Sequence, residues 1–308
     1  MKYRRLGRTE LEVSVIGVGA WQFGGEWGMD FDQAAVNRIL SRAQELGINL
    51  IDTAECYGDH LSERLIGAAI KGQRDQWIIA TKFGHHFKGR FDRDDRWSPE
   101  DVRQQLEDSL RALQTDYVDL YQFHSGPDEA FDQPELWEML NEQVQAGKIR
   151  HLGLSISPNS NLYQTRRARE VGAGAIQVVY NRLDRTPEKD VLPACQEDDL
   201  GVLARVPLAS GLLSGKYKPG DRFTNENDVR SLRQQERLQR DLIEVERIRE
   251  MEVPPGVDMA AWALAWCLMH PAVTCVIPGM KSVAQVEANA RAAALDLVRV
   301  DHPQAVNG

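Results

Sequence analysis

The sequence predicts an α/β fold, a (β/α)8 TIM barrel, and two observations carry this prediction. Short apolar runs recur along the 308 residues, and amphipathic stretches with helical spacing lie between most of them. Strands that alternate with helices form a parallel sheet. Eight candidate strands are present, at 15–19, 49–52, 77–82, 117–123, 149–155, 175–180, 201–205 and 273–277. That count favours a closed barrel over an open doubly wound sheet.

The open sheet also lacks its usual signature. A nucleotide-binding open sheet normally carries three spaced glycines after an early strand, just before a helix. The nearest segment here starts at Gly17 and Gly19 but has Gln22 where the third glycine belongs. No helix start follows it directly, so we reject this segment as such a signature.

Segments outside the strand–helix alternation have their own patterns. Residues 3–14 place turn residues between alternating apolar positions, which predicts a β-hairpin that caps the bottom of the barrel. Two connections, 84–97 and 209–228, are unusually long and follow strands. Both should therefore lie on the face where barrel enzymes place their sites. Since no linker or repeat divides the chain, we predict one domain over residues 1–308.

Composition narrows the class of partner. The chain has 37 Lys and Arg against 46 Asp and Glu, a formal net charge of -9. Nucleic acid or an anionic membrane would require a basic face, so neither is expected as a partner. The proportions of hydrophobic residues, 42%, and charged residues, 27%, are typical of a soluble globular protein.

Cysteine usage and apolar runs indicate a cytoplasmic protein. The cysteines lack CxxC spacing, and the first ten residues contain no apolar stretch that could act as a signal peptide. We therefore expect reduced thiols at Cys56, Cys195, Cys267 and Cys275. The longest apolar run, 259–269, is about half of the ~20 residues that a membrane helix needs, so we interpret it as a buried helix.

Polar side chains stand at the ends of four successive candidate strands. Asp52, Lys82, His124 and Ser155 end the second to fifth strands. A parallel barrel brings the carboxyl ends of its strands into one ring. Any one of these residues alone would suit a structural role, but charged groups at a barrel mouth must be paired or used. The set predicts a functional site.

Tyr57, just beyond Asp52, indicates which reaction these strand-end residues could catalyse. Reduction of a carbonyl by hydride needs a proton, and a phenol with a pKa of about 10 is a weak acid near neutrality. Lys82 would stabilise the phenolate and lower that pKa, and Asp52 would keep Lys82 charged. His124 would donate a hydrogen bond to the substrate oxygen. These residues are the predicted catalytic set.

The motifs around these residues resemble the aldo-keto reductases. Residues 47–58, Gly-Ile-Asn-Leu-Ile-Asp-Thr-Ala-Glu-Cys-Tyr-Gly, look like the family signature around its catalytic Asp and Tyr. Residues 80–82 are similar to the strand that bears its lysine, and 116–124 to the strand that bears its histidine. The resemblance runs from Arg5 to about Ala292. It implies a barrel enzyme that reduces aldehydes or ketones, reversibly, with a nicotinamide cofactor.

The resemblance also implies the residues that hold the nicotinamide half of the cofactor. Ser155 aligns with a residue that binds the carboxamide, Gln177 looks like its partner, and Tyr180 matches the aromatic that stacks under the ring. The segment 207–216 resembles the one whose backbone holds the pyrophosphate, with Pro207, Leu208, Ser210, Gly211, Leu213 and Lys216. Arg222 would help to hold the pyrophosphate from the same loop.

The other end of the cofactor is implied near the C-terminus. The resemblance assigns the adenosine phosphate to Gly279, Lys281, Ser282, Gln285 and Asn289. A charge at Lys281 and a hydroxyl at Ser282 suit a ribose 2′-phosphate, which favours NADPH over NADH. Relatives place Asn where this chain has Ile156, and some place Arg where it has Gln285.

The substrate pocket is expected to be aromatic. Trp21 follows the first strand, and with His124 it is the predicted substrate contact. Further aromatic residues on the same loops could form the rim, namely Trp27, His85, His86, Phe87 and Trp97. The sequence does not identify the carbonyl compound, the preferred reaction direction or the oligomeric state.

Two other functional classes are compatible with parts of the pattern. Some relatives of this fold act as redox-sensing channel subunits, so a non-catalytic nicotinamide-nucleotide-binding module is the alternative. A metal-dependent barrel hydrolase would also use His and Asp at strand ends. However, the sequence has neither an HxH pair on the first strand nor HExxH, and the adjacent His85 and His86 would face opposite sides of a strand. We therefore predict no metal site.

Overall fold

The fold is an alternation of strands and helices, described for residues 1–306 in a computed structural model. The strands are β1 (Tyr3–Arg5), β2 (Glu12–Ser14), β3 (Val18–Gly19), β4 (Leu50–Asp52), β5 (Ile78–Phe83), β6 (His85–Gly89), β7 (Asp92–Asp95), β8 (Val118–His124), β9 (Ile149–Ser155), β10 (Ala173–Val179), β11 (Gly201–Arg205) and β12 (Cys275–Ile277). The helices are α1 (Gln33–Glu45), α2 (Leu61–Ala69), α3 (Pro99–Leu113), α4 (Asp128–Phe131), α5 (Pro134–Gln145), α6 (Leu162–Arg167), α7 (Val191–Glu197), α8 (Gln235–Met251), α9 (Met259–Met269) and α10 (Val283–Arg291).

Eight parallel strands form the barrel. Their order in the sheet is β12-β11-β10-β9-β8-β5-β4-β3. Single parallel bridges from Ile16 to Val276 and from Gly19 to Gly279 join the two edges, so the sheet closes. Each of the eight ranges predicted from sequence overlaps one of these strands, and the predicted (β/α)8 barrel is confirmed.

The helices form by the signals that the sequence carries. In α3, the Ser98 side chain accepts a hydrogen bond from the backbone of Asp101, and Pro99 occupies the first turn. Apolar residues at helical spacing form one buried face, namely Val102, Leu106, Leu110 and Leu113. Burial of each leucine contributes about 1.5–3 kcal/mol, so this face fixes the helix against the barrel.

The predicted N-terminal hairpin is present and closes the bottom of the barrel. Strands β1 and β2 pair antiparallel, and Leu6 and Val13 are fully buried. They pack against the inward-facing residues near the starts of the strands, including Leu50, Ala80, Leu120, Ala175 and Leu203. Gly7 has a φ of 51°, and a Cβ there would lie 2.0 Å from the Gly201 nitrogen, so the close contact requires glycine.

The long connections lie over the opposite end. Residues 84–97 contain the antiparallel hairpin β6–β7, which the sequence pattern did not reveal because β7 is entirely polar or charged. The connection after β11 reaches across the mouth, where Asp228 bridges to Trp27. Helix α9 is the buried apolar run that the sequence predicted. Within residues 1–306, no helix is long and apolar enough to span a membrane.

Candidate active site

The ends of the barrel strands bring the predicted catalytic residues together. Asp52 is the last residue of β4, Lys82 lies one residue before the end of β5, and His124 ends β8. Strand register places Gln122 beside Lys82 and Ser155 beside His124. The loop between β4 and α2 carries Tyr57 over this ring. Residues that are far apart along the chain therefore form one cluster in the folded protein.

Asp52 and Lys82 form a buried ion pair. The Lys82 Nζ donates to Asp52 Oδ2 at 2.8 Å and to the Thr53 carbonyl oxygen at 2.7 Å. The second carboxylate oxygen of Asp52 accepts from Gln177 Nε2 at 2.6 Å and from Gln122 Nε2 at 3.2 Å. Because both charges have several partners, the pair can remain ionised away from water.

Tyr57 extends this network to the mouth of the barrel. The Lys82 Nζ lies 3.4 Å from the Tyr57 hydroxyl oxygen. Burial, and then the negative charge of Asp52, raise the pKa of Tyr57 well above its usual value. The sequence interpretation expected Lys82 to lower this pKa. Burial is the largest influence and acts in the other direction, so the phenol is protonated at neutral pH.

His124 faces Tyr57 across the site. The two rings are 6.2 Å apart and nearly perpendicular. Burial, followed by the positive charge of Lys82, lowers the pKa of His124 well below its usual value. The imidazole is therefore neutral at pH 7, with one ring nitrogen that can donate a hydrogen bond and one that can accept.

A cavity of about 930 Å³ opens beside this cluster. Trp21 forms part of its rim, and its ring stacks on that of Tyr57 at 6.0 Å. Trp27 and His85 also line the cavity, whereas His86, Phe87 and Trp97 do not. The predicted cofactor residues that line it are Gln177, Pro207, Leu208, Ser210, Gly211, Lys216, Gly279, Lys281, Gln285 and Asn289.

Some predicted residues lie elsewhere. The Tyr180 ring packs against Trp266, and its hydroxyl donates to Glu188 at 2.8 Å, outside the cavity lining. Its side chain points outward to α9 because successive side chains alternate across a strand. Leu213 lies in the apolar cluster beneath the mouth. The Ser282 hydroxyl caps α10 by accepting from the Gln285 nitrogen.

Arg205, the last residue of β11, lines the cavity instead. Its charge favours the ionised form of Tyr57 and so opposes the effect of burial on the Tyr57 pKa. One of its terminal nitrogens, Nη2, donates to the Ile156 carbonyl at 3.3 Å. The sequence analysis did not single out Arg205. Its position at the end of a predicted strand, like that of Asp52, would have been sufficient to identify it as a candidate.

The backbone after β11 has an unusual conformation. Val206, Ala209 and Ser210 have positive φ angles of 55°, 49° and 62°, and Gly211 has 90°. Left-handed backbone at non-glycine residues is uncommon and concentrates at ligand sites. Successive amide groups in such turns can converge on an anion. Ala209, Ser210 and Gly211 belong to segment 207–216, for which pyrophosphate binding stays a prediction.

Cations surround the same end of the cavity. Lys281 and Arg230 lie on the Trp27 ring, with 5.3 Å from the Lys281 Nζ and 5.6 Å from the Arg230 Cζ to the ring centre. Among the residues that the structure describes, Asp228 pairs with Arg230 at 2.6 Å, whereas Lys281 Nζ donates only to the Trp27 carbonyl, at 2.9 Å. Arg230 replaces the predicted Arg222 as the arginine that lines this part of the cavity.

Several buried polar atoms near the cavity lack a hydrogen-bond partner among the described residues. They include Ser155 Oγ, Asn289 Nδ2 and Arg205 Nε. A buried polar atom without a partner costs about 1–3 kcal/mol, so natural proteins rarely leave one unless it serves a function. Ser155 lies near the catalytic cluster, and Asn289 lies at the Lys281 end. Both atoms could hydrogen-bond to a bound dinucleotide, so the residues present fit a nicotinamide cofactor.

Comparison with known proteins agrees with this site. The model of the Aldo/keto reductase family matches residues 15–305. The chain belongs to this family. Aldo-keto reductase YhdN of Bacillus subtilis is 35% identical over 94% of this chain and 87% of the relative. The NADH-specific methylglyoxal reductase of Escherichia coli is 30% identical over 98% of this chain and 96% of the relative.

A solved structure shares the fold. The aldo-keto reductase AKR11C1 from Bacillus halodurans, in its holo form, has 36% sequence identity and a TM-score of 0.79, with 96% of this chain and 91% of that chain covered. Membership of the aldo/keto reductases implies NAD(P)-dependent carbonyl reduction, and it identifies the protein as an oxidoreductase rather than a hydrolase.

Proposed function

We propose that the protein reduces an aldehyde or ketone with NADPH and that Tyr57 supplies the proton. The observation that carries this proposal is the chain of contacts from Asp52 through Lys82 to the Tyr57 hydroxyl, at 2.8 Å and 3.4 Å. It ends at the wall of a cavity that Tyr57 shares with His124. A protonated phenol and a neutral imidazole thus converge on the space where a carbonyl oxygen would bind.

Each residue has a defined part in the proposed reaction. Bound NADPH supplies the hydride to the carbonyl carbon. Tyr57 donates its hydroxyl proton to the oxygen on which negative charge develops, and Lys82 stabilises the resulting phenolate. His124 donates a hydrogen bond to the same oxygen. Asp52 keeps Lys82 charged and oriented.

Tyr57→Phe tests the proton donor. A positioned general acid contributes about 10²–10⁴-fold, so we expect kcat with an aldehyde panel to fall by that factor. NADPH binding, measured by fluorescence titration, should persist because the substitution removes only one oxygen. Tyr163→Phe, at an exposed residue of α6, is the matched control and should retain wild-type turnover.

The outcomes separate the alternatives. Wild-type turnover in Tyr57→Phe would show that another group donates the proton. If the wild-type protein binds NADPH but turns over none of the aldehydes and ketones, the reductase proposal fails and a nucleotide-binding regulatory module takes its place.

The preference for NADPH over NADH is proposed from charge. Lys281, Lys216 and Arg230 line the end of the cavity that contains the unpartnered Asn289 amide. A 2′-phosphate is the part of NADPH that NADH lacks, and Lys281 offers it a cation that no carboxylate neutralises by direct contact among the described residues. The relative in Escherichia coli is named NADH-specific, so family membership does not by itself select NADPH.

Lys281→Met tests this preference. Hydrogen bonds to charged groups contribute about 1.5–3 kcal/mol, so we expect the Kd for NADPH to rise about 10- to 100-fold. The Kd for NADH should change by less than about twofold. Lys218→Met, at an exposed lysine on the connection after β11, serves as the control. If the substitution weakens the binding of NADPH and of NADH equally, Lys281 does not recognise the 2′-phosphate.

A further inference from the structure

Two residues beside Tyr57 have no part in the proposed reaction. Glu55 and Cys56 precede it in the loop after β4, and both are buried. Together with His124 they offer a carboxylate oxygen, a sulfur and a ring nitrogen that all lie within 4.8 Å of one another. The Cys56 Sγ and His124 Nδ1 are 3.9 Å apart. These are the three ligand types that zinc takes from proteins.

Glu55 supplies an independent indication of a ligand. Its side chain is buried, with 3% of the residue exposed, and one oxygen accepts from the His85 backbone nitrogen at 3.1 Å. The other oxygen, Oε2, has no hydrogen-bond partner within residues 1–306. A buried carboxylate oxygen without a partner is costly, and a bound cation would satisfy it.

We propose that Glu55, Cys56 and His124 form a binding site for Zn²⁺, or a similar borderline-soft divalent cation, and that its occupation inhibits the enzyme. Zinc–sulfur and zinc–nitrogen bonds of about 2.3 and 2.0–2.1 Å at a tetrahedral angle separate the two ligand atoms by about 3.6 Å. The observed 3.9 Å needs only a small adjustment.

Charge and hardness favour zinc over the common hard cations. A thiolate and a carboxylate together neutralise a doubly charged ion, and the neutral imidazole adds a nitrogen without further charge. Zinc binds in place of the protons on the Cys56 thiol and on any protonated Glu55, and these protons pass to solvent. Mg²⁺ prefers an octahedral set of oxygen ligands, so this cluster excludes it.

The surroundings provide access and support. Cys56 and His124 line the cavity, so an ion can reach them from solvent, and Glu55 completes the set from behind. The His85 amide donates to the Glu55 carboxylate and fixes its orientation, as hydrogen-bond donors behind metal ligands do at zinc sites.

Arg93, Lys82 and Arg205 are the positive groups near this site. Buried Glu26 pairs with Arg93 at 2.5 Å and Asp52 pairs with Lys82 at 2.8 Å, so the repulsion between these two cations and the ion is reduced.

Inhibition follows from the open coordination position. Three protein ligands leave a tetrahedral ion with one free position, here on the cavity side next to Tyr57. A carbonyl oxygen that binds to the ion is held away from the Tyr57 hydroxyl. We therefore expect inhibition that competes with the carbonyl substrate and not with the dinucleotide. The expected inhibition rests on the proposed function, whereas metal binding at the three residues does not depend on it.

Cobalt spectroscopy tests the site without any substrate. Co²⁺ is a visible substitute for zinc, and coordination by a thiolate gives a charge-transfer absorption. We expect this absorption at one equivalent in the wild-type protein and its loss in Cys56→Ala. Cys195→Ala removes a buried thiol on α7 and should retain the absorption. Its absence in the wild type, or its persistence in Cys56→Ala, overturns the proposal.

Zinc inhibition tests the consequence. Loss of an outer partner of a zinc ligand weakens binding about 10- to 100-fold, so loss of a direct ligand in Glu55→Gln should raise the half-inhibitory Zn²⁺ concentration at least tenfold. Each variant is compared with its own metal-free activity, and circular dichroism checks its fold. Competition with NADPH, or equal inhibition by Mg²⁺, contradicts the inferred site. If cobalt binds as expected but no carbonyl compound is reduced, the proposed function fails and the metal site stands.

Discussion

Asp52 is the carboxylate that joins the buried polar side chains of the site. One of its oxygens contacts Lys82, and the other accepts from Gln177 and Gln122. Transfer of either charge out of water is unfavourable, and the mutual attraction offsets this only while both partners are present. The two residues should therefore behave as one unit when they are substituted.

Paired substitutions test this coupling. Lys82→Met leaves the Asp52 carboxylate buried and without its cation, so we expect the free energy of unfolding to fall by about 3–5 kcal/mol. The double variant Lys82→Met/Asp52→Asn removes both charges and should recover most of that loss. Urea unfolding followed by circular dichroism measures both values. Additive losses in the double variant would contradict the coupling.

Single residues were predictable from sequence to different degrees. The ring of Asp52, Lys82 and His124 could be predicted because strand ends in a parallel barrel converge, whatever the side chains are. The outward direction of Tyr180 could not, because a shift of one residue in a strand reverses the side on which its side chain lies. The contact of Glu55 and Cys56 with His124 depends on a loop conformation that no periodicity encodes.

The loop that carries Tyr57 is positioned by a close backbone contact. A Cβ on Gly24 would lie 2.6 Å from the Tyr57 carbonyl carbon, and a Cβ on Gly58 would lie 2.7 Å from the Gly24 oxygen. Gly58 also has a φ of 67°. The short 3₁₀ helix Trp21–Gly24 and the Tyr57 loop thus meet without side chains between them, and this fixes the hydroxyl over the barrel.

Gly24→Ala tests this contact. The added methyl group must displace the backbone of Tyr57, and a misplacement of about 1 Å can reduce the rate about 100-fold. We expect kcat to fall by about that factor, while NADPH binding changes little. Gly89→Ala, in β6, is the control because a Cβ there has no atom within 4 Å. Comparable activity of the two variants would show that the contact does not position Tyr57.

Strands and helices were the most predictable parts of the fold. Apolar runs and helical spacing located the eight barrel strands, since burial of their side chains is recorded in the sequence. Hairpin β6–β7 escaped prediction because Asp92–Asp95 is held by backbone pairing and not by an apolar face. The left-handed turns after β11 also escaped, since Val206 and Ala209 are residues that rarely adopt them.

The two ends of the described chain meet at the bottom of the barrel. The Arg5 nitrogen donates to the Gln304 carbonyl at 2.8 Å, and the Val306 nitrogen donates to the Tyr3 carbonyl at 3.1 Å. His302 is buried in this segment. Burial, and then the charge of Arg4, lower the pKa of His302 to about 4. The protein should therefore lose stability in mild acid because His302, at the bottom of the barrel, becomes protonated more readily in the unfolded chain.

His302→Gln tests this pH dependence. An unfolded histidine, with a pKa of about 6.5, binds a proton before the folded one does. Stability contributed by the neutral ring is thus fully present above pH 6.5 and is lost as the pH falls toward 4, with a total of about 3 kcal/mol. The variant should show a correspondingly shallower decline in urea unfolding between these pH values. His86→Gln, in β6 at the opposite end, should keep the wild-type slope, and equal slopes in all three proteins would refute the assignment.

The tryptophans at the rim give the cavity an optical property. Trp21 and Trp27 have ring centres 5.2 Å apart, and the charges of Lys281 and Arg230 lie on the Trp27 ring. Indole emission responds to nearby charge, so we expect a dinucleotide phosphate that binds these cations to alter the fluorescence of Trp27. Under the proposed function, the two tryptophans would then serve as an unlabelled reporter of cofactor binding over time.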